Sequence, residues 1–192
     1  MQSRGINFTI QEGEGAFYGP KIEIRIKDTM GRQWQCGTVQ VDPFLPQNFD
    51  ISYVSSDQSR QRPVMIHRAI YGSIERFMGI ILEHFKGRLP LWLAPEQVRV
   101  MTITDAQGEY AQEVLTALKR FGARATVDQT SDKINAKIKR AQLMQIPWML
   151  VIGDKEKEQR TVTLRYLDGT QKFGVSLAEL EALFGEDMKV AR

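Results

Sequence analysis

The chain has 192 residues, of which 42% are hydrophobic and 26% are charged, and its net charge is +3. This composition is typical of a soluble globular protein with one large domain or two ordinary ones. No apolar run approaches the roughly 18 residues of a membrane span, the N-terminus lacks a signal-peptide pattern, and the single cysteine, Cys36, excludes an intramolecular disulfide. We therefore expect a cytoplasmic protein with no membrane partner.

The first half of the chain is predicted to be mainly antiparallel sheet. Isoleucines alternate with charged residues over residues 21–28, a period-2 strand pattern, and residues 33–42 return as a partner strand. The pattern then predicts a loop at 43–48, a strand at 49–55, a polar loop at 56–63, a buried strand at 64–67 and a helix at 72–86. The apolar face of that helix is expected to comprise Ile70, Ile74, Phe77, Ile81, Leu82 and Phe85.

Residues 87–97 contain two prolines and a glycine and indicate a domain boundary, so that residues 1–90 and 91–192 form separate domains. Strands then alternate with helices. Strands are predicted at 98–103, 123–128 and 147–153 and in a hairpin over 161–175, and helices at 106–120, 132–145 and 176–184. This order is typical of an α/β domain with a mixed sheet.

Basic residues are concentrated in the second half. Between Lys119 and Arg140 there are seven lysines and arginines against two aspartates. Such a cluster is typical of a surface that binds phosphate backbones, but equally of a solvated helix face. Charge alone leaves both interpretations open.

Several residues are candidates for chemistry, each with an ordinary structural alternative. Glycines surround Tyr18 and Lys21 in residues 13–21 and would allow a ligand to approach the backbone, but the spacing is not that of a P-loop. Gln35 and Cys36 are expected on opposite faces of a strand, where Gln35 either joins a hydrogen-bond network or contacts a ligand. One cysteine and two histidines do not provide a self-contained zinc site. His67 taken alone could be a core histidine.

Four segments together resemble one family. GEGAFYGPKIE, WQCGTVQVD, RPVMIHRAIYGSIERFMG and PLWLAP are similar, in this order and spacing, to the C-terminal half of bacterial threonyl-tRNA synthetases. The segment ending in GSIERFMG resembles motif 3 of class II synthetases, and the last hundred residues resemble the anticodon-binding domain of the Thr, Pro, His and Gly enzymes. The resemblance implies an α/β (α+β) chain: the C-terminal part of an antiparallel-sheet catalytic domain followed by an α/β anticodon-binding domain with a mixed sheet.

The resemblance also implies roles for residues of the first domain. His67 matches one of three protein ligands of a zinc ion that coordinates threonine, and Arg76 matches the catalytic motif 3 arginine that stacks on adenine and reaches an ATP phosphate. The remaining matches are the ATP-side positions Lys21 and Gln35 and the threonine-pocket positions Tyr18, Gln40, Ala69 and Ser73. The implied cofactors are zinc, at a site that is incomplete in this chain, and ATP with Mg²⁺.

In the second domain, Glu156 and Arg165 match positions that read anticodon bases, and Lys133 is expected near the tRNA. The implied activity is that of a threonine–tRNA ligase, with threonine, ATP and threonine tRNA as partners and a homodimer in the full-length family. Because motifs 1 and 2 and two zinc ligands are not in this chain, we expect the isolated chain to be inactive. The alternatives are a stand-alone tRNA-binding module and a related class II synthetase such as the prolyl enzyme; His67 favours threonine over proline.

Overall fold

The computed structural model describes residues 2–189, and the chain divides into two compact units, Met1–His84 and Phe85–Arg192. Each unit has a sheet of its own. In the described part of the chain, no helix is long and apolar enough to cross a membrane. The α/β fold class predicted from the sequence is confirmed.

The first unit contains a three-stranded antiparallel sheet. Its strands and helices are, in chain order, β1 (Lys21–Lys27), β2 (Gln33–Asp42), α1 (Phe44–Asn48), β3 (Tyr53–Val54), β4 (Arg60–Gln61), β5 (Met65–Ala69) and α2 (Ile74–His84). The predicted hairpin of β1 and β2 is confirmed, and β5 pairs with the other edge of β2. The short strands β3 and β4 form a separate hairpin.

A β-bulge interrupts the pairing of β1 with β2. Ile24 pairs with Gly37 whereas Arg25 pairs with Gln35, so Cys36 is the extra residue. Because a bulge breaks the alternation of side chains, strict period-2 geometry does not hold between Gln35 and Cys36. Cys36 is 4% exposed, and Gln35 is exposed.

Two predictions of irregular structure were wrong. Residues 43–48 were expected to be a loop, but Phe44–Asn48 form α1, because the carboxylate of Asp42 accepts the backbone N–H groups of Phe44 and Leu45 at 2.8 and 3.0 Å. Of the strand predicted at 49–55, only Tyr53–Val54 is a strand, and its partner strand Arg60–Gln61 lies in the loop predicted at 56–63.

The burial predicted for β5 and α2 was also wrong in part. Ile66 in β5 is 67% exposed, although the apolar run indicated a buried strand. On α2, Ile74 is 65% exposed, and the buried residue is Ile80, which was not in the predicted face. An apolar pattern identifies a face but does not reveal what covers it.

The second unit contains a five-stranded mixed sheet with helices on both faces. Its elements are, in chain order, β6 (Val98–Thr102), α3 (Gly108–Arg120), β7 (Ala125–Asp128), α4 (Ile134–Leu143), β8 (Trp148–Ile152), α5 (Asp154–Gln159), β9 (Thr161–Tyr166), β10 (Gln171–Ser176) and α6 (Leu177–Asp187). The strand order is β10-β9-β8-β6-β7, with β6, β7 and β8 parallel and the other two pairings antiparallel. Helix α5 was not expected, because DKEKEQ has no apolar periodicity.

Two apolar clusters lie on opposite faces of this sheet. Val114 and Leu118 of α3 pack with Leu180 and Phe184 of α6 in the larger cluster. On the other face, Ala141 of α4 packs in the smaller cluster with two methionines of β6 and β8. These opposite packing faces place α3 and α4 on either side of the parallel strands.

The proline-containing segment that was expected to separate the domains is bound to the second unit. Gln97 is completely buried, and its side-chain amide donates to the carbonyl of Leu91 at 2.8 Å. The guanidinium of Arg124 donates to the carbonyls of Trp92 and Ala94. These bonds fix residues 91–97 to the β6–β7 edge of the sheet.

Candidate functional sites

Three of the residues singled out in the sequence form one row across the first sheet. Lys21 of β1 lies opposite Gln40 of β2, and Gln40 lies opposite His67 of β5. Directly opposed residues in antiparallel strands project from the same face, with Cβ atoms roughly 4.5–5.5 Å apart. The imidazole of His67 is exposed. The register therefore brings an ammonium, an amide and an imidazole together on one face.

The neighbouring row of the same face adds polar groups. Thr38 of β2 lies opposite Glu23 of β1 and Ala69 of β5, and its hydroxyl accepts a hydrogen bond from the Gln35 amide at 3.1 Å. The carboxylate of Glu23 contacts Lys21 at 2.5 Å.

Glu23 was not a candidate in the sequence analysis. The hydrogen bond from Lys21, followed by that from Arg25, lowers the pKa of the Glu23 carboxyl. Its position between two basic residues on a period-2 strand was the signal that could have identified it.

The turn between β5 and α2 positions Ser73 and Arg76. The Ser73 hydroxyl donates to the carboxylate of Glu75 at 2.7 Å and accepts the backbone N–H of Arg76 at 3.3 Å, so Ser73 caps α2. The Ser73 hydrogen bond lowers the pKa of Glu75. Arg76 is exposed in the first turn of the helix. A Cβ at Gly72 would lie 3.3 Å from the carbonyl oxygen of Gln35, which shows that this turn packs against β2.

Tyr18 lies in the glycine-containing segment before β1. A Cβ at Gly19 would come within 2.4 Å of the carbonyl oxygen of Val41, and the N–H of Val41 donates to Pro20. This close approach holds the segment against β2 next to Gln40. The ring of Tyr18 is half-buried and packs edge-on against Phe17, with ring centroids 4.7 Å apart.

A cleft of about 1100 Å³ lies between β1 and residues 6–15. Lys21 and Glu23 line it, whereas Gln35, Gln40 and His67 do not. The row of polar residues on the sheet is therefore mostly outside this cleft.

The donor set for a metal is small. Among the described residues, no group of three or more His, Cys, Asp or Glu is arranged to hold a metal ion. Cys36 is a buried free thiol, and His67 is an exposed imidazole. The residues of this chain do not by themselves fit a tetrahedral zinc site.

The second unit has a crevice at the carboxyl ends of its parallel strands. The chain passes from β6 to β7 through α3 on one face and from β7 to β8 through α4 on the other, so the winding reverses between β6 and β8. Ligands of open α/β sheets bind outside such a reversal point. The side chain of the buried Gln107 connects the segments that follow β6 and β8. It accepts the N–H of Thr104 at 2.8 Å and donates to the carboxylate of Asp154 at 2.6 Å.

Glu156 lies in the first turn of α5, the helix that follows β8, and both of its carboxylate oxygens are oriented by the protein. Oε2 accepts the backbone N–H of Gly153 at 3.0 Å, and Oε1 accepts the hydroxyl of Thr163 at 2.9 Å. Burial by itself would raise the pKa of Glu156, but the hydrogen bonds from Thr163 and Gly153 outweigh it and lower the pKa. Each carboxylate oxygen has a second lone pair, so the group can still accept bonds from a ligand. Thr163 was missed in the sequence analysis.

Arg165 lies two residues after Thr163 on the same face of β9. It is half-buried between Met149 of β8 and Gln171 of β10. Its Nε is buried and has no hydrogen-bond partner among residues 2–189. Leaving such a donor unpaired costs about 1–3 kcal/mol, which a ligand acceptor would remove.

The basic cluster of residues 119–140 is only partly a surface. Arg140 binds the carboxylates of Asp128 at 2.8 Å and Asp132 at 2.9 Å. The ammonium of Lys137 is buried and donates to the Thr102 carbonyl at 3.1 Å. Lys133, at the start of α4, is exposed. Arg140 and Lys137 are therefore bound within the protein, and only part of the basic cluster predicted from the sequence is available to a partner.

Two family models match the chain. Residues 2–85 match the tRNA synthetase class II core domain (G, H, P, S and T), and residues 97–187 match the anticodon binding domain. A curated threonine–tRNA ligase of Desulfosudis oleivorans is 49% identical over 176 residues, which are 92% of this chain. Over nearly its whole length, this chain is therefore similar to the threonyl-tRNA synthetase family.

Solved structures agree with this synthetase family. The RNA binding domain of threonyl-tRNA synthetase from Cryptosporidium parvum is 42% identical with a TM-score of 0.86, over 96% of this chain and 47% of that one. Prolyl-tRNA synthetase from the same organism has a TM-score of 0.69 at 22% identity, over 92% of this chain and 41% of that one, which shows a shared fold alone. This synthetase chain spans 28% of the length of the curated relative from Desulfosudis.

Proposed function

We propose that this chain forms the motif 3 and anticodon-binding part of a threonine–tRNA ligase. The complete enzyme would activate threonine with ATP and transfer it to threonine tRNA in the cytoplasm as a homodimer. Residues 1–90 would contribute part of the catalytic domain, and residues 91–192 would bind the anticodon. The observation that carries the proposal is the orientation of the Glu156 carboxylate by hydrogen bonds from Gly153 and Thr163. Thr163 lies on β9, two residues before Arg165.

Anticodon reading would rest on hydrogen bonds to unpaired bases. The carboxylate of Glu156 accepts N–H groups of a base edge, and the guanidinium of Arg165 donates to base oxygen and nitrogen atoms. Lys133 would contact the phosphate backbone.

The polar face of the first sheet would contribute to the aminoacylation site. Lys21, Gln35 and Arg76 would contact ATP with its Mg²⁺, and Arg76 would act on the reacting phosphate. The threonine-side residues would be Tyr18, Gln40, Ala69 and Ser73. His67 would be this chain's contribution to a zinc site whose other ligands lie elsewhere in the enzyme.

The test of anticodon reading is binding of this chain to the anticodon stem-loop of threonine tRNA, compared with the same hairpin carrying one changed anticodon base. We expect Glu156→Gln and Arg165→Lys each to reduce this discrimination by roughly fivefold or more, as the loss of a base contact worth about 1–3 kcal/mol implies. Glutamine can replace glutamate in a capping box, and lysine keeps the charge, so both variants should remain folded. Unchanged discrimination in both variants, measured by fluorescence anisotropy, would contradict anticodon reading by these residues.

A further inference from the structure

An exposed aromatic ring lies beside the proposed anticodon readers. Phe173 of β10 is 75% exposed and is the one aromatic among the exposed large hydrophobic residues in the described part of the second unit. Removing a large apolar side chain from water is favourable, so a phenyl ring in water is a candidate for a contact with a partner.

The strand register gives the position of Phe173. Lys172 pairs with Leu164 and Val175 with Val162, so Phe173 and Gly174 together oppose the single residue Thr163 in a bulge. Gly174 has φ of +65°, a conformation that favours glycine. The bulge lets Val175 face the apolar core while Phe173 stays on the opposite face.

This face of β9 and β10 also carries polar groups. Thr163, opposite Phe173, donates to Glu156 at 2.9 Å, and the adjacent pair on the same face is Arg165 with Gln171. On the other side of Glu156, a Cβ at Gly153 would meet the side chain of Ile103 at 2.9 Å. Apolar surface therefore borders the oriented carboxylate on both sides.

The combination matches the chemistry of one kind of partner. An unpaired nucleobase has a flat π face that stacks on an aromatic ring and an edge of donors and acceptors that bonds to charged side chains. A half-buried carboxylate acceptor, a guanidinium with an unpaired donor and an exposed phenyl ring on one face offer both contacts.

We infer that Phe173 is a stacking residue for single-stranded RNA: a base of the anticodon loop lies on its ring while the edge of a loop base bonds to Glu156 or Arg165. This inference rests on the proposed anticodon-reading function and names a residue that the sequence analysis did not single out. The ring adds affinity that depends little on base identity, because every base has a π face.

The test is binding of the full chain to the threonine anticodon stem-loop, with 2-aminopurine at successive loop positions as a stacking probe. We expect Phe173→Ala to weaken binding by roughly five- to 150-fold, the range implied by about 1–3 kcal/mol per stacked base. At one loop position, the quenching of 2-aminopurine should be lost in this variant. Phe173→Trp should retain affinity within about twofold because it preserves a stacking face.

Two controls separate stacking from other roles. Leu143→Ala removes another large apolar side chain, 73% exposed, and should leave affinity unchanged. Phe173→Leu keeps apolar bulk without a π face, and affinity equal to wild type would show that stacking does not occur. If the wild-type chain binds the hairpin with discrimination while Phe173→Ala binds equally well, only the stacking inference is overturned. If the wild-type chain does not bind the hairpin, the proposed function and this inference both fail.

Discussion

The carboxylates of Asp28 and Asp128 each accept several hydrogen bonds, and these bonds keep both groups ionised. Asp28, with a side chain only 3% exposed, accepts the indole N–H of Trp34, the guanidinium of Arg32 and two backbone N–H groups. Asp128 accepts Arg140 and Thr130. Burial by itself would raise both pKa values, but the hydrogen bonds outweigh it and lower each pKa to about 2. Both groups are therefore ionised well below neutral pH.

The pKa of Asp128 predicts acid sensitivity. Its folded-state value lies below its ordinary value of 3.8, so its stabilisation is complete above about pH 4 and is lost as pH falls toward 2. At pH 7, Asp128→Asn should reduce the free energy of unfolding by about 1–3 kcal/mol. The difference from wild type should shrink as pH falls through this window, in urea titrations followed by tryptophan fluorescence. Glu158→Gln, which neutralises an exposed carboxylate, is the control, and a difference independent of pH would contradict the assignment.

Among whole elements, the periodic segments followed the sequence pattern, whereas two short helices were missed. The β1–β2 hairpin and helices α3, α4 and α6 lie where the apolar periodicity predicted them. The helices α1 and α5 were missed because local hydrogen bonds, from Asp42 to α1 and between Glu156 and Gly153 at α5, determine them. Signals of this kind consist of one or two residues and have no period.

The turn between β5 and α2 allows an element-scale prediction. Gly72 has φ of +67°, and a Cβ there would lie 3.2 Å from the carbonyl oxygen of Cys36, so Gly72→Ala should destabilise the first unit by about 1–2 kcal/mol. Gly79 lies within α2 with open space around it, and Gly79→Ala should stabilise the helix by about 0.5–1 kcal/mol. Urea denaturation monitored through Trp34 compares the two variants. Equal effects of the two substitutions would rule out strain at Gly72.

On the scale of the whole molecule, the chain has a polar sheet face in one unit and a crevice at the carboxyl ends of parallel strands in the other. The candidate residues of the first unit converge only because β1, β2 and β5 are in register at Lys21, Gln40 and His67. Those of the second unit converge because β9 pairs with β8, which brings Thr163 of β9 within hydrogen-bond distance of Glu156 in the helix that follows β8. Neither convergence follows from spacing along the chain.

The activity of the isolated chain is a prediction on this scale. We expect no threonine-dependent exchange of pyrophosphate into ATP, because one imidazole and part of an ATP-binding face do not stabilise the charge that develops during activation. The measurement uses labelled pyrophosphate with the 192-residue chain, and a full-length threonine–tRNA ligase serves as the positive control. Exchange at a rate comparable to that control would show that the chain is a sufficient catalyst.

The sequence by itself determined the fold class, the alternation of strands and helices, and the family, because hydrophobic periods and motif spacing are local properties of the chain. Only the tertiary structure decided which polar groups meet. Not all seven basic residues are free on a surface, because Lys137 donates to the Thr102 carbonyl and Arg140 binds the Asp128 carboxylate. The pairing of strands β6 and β7 brings these two acceptors together. It likewise placed Thr163 against Glu156 and Phe173 on the strand next to Thr163, because register and a one-residue bulge, neither visible as a pattern, determine which face each side chain occupies.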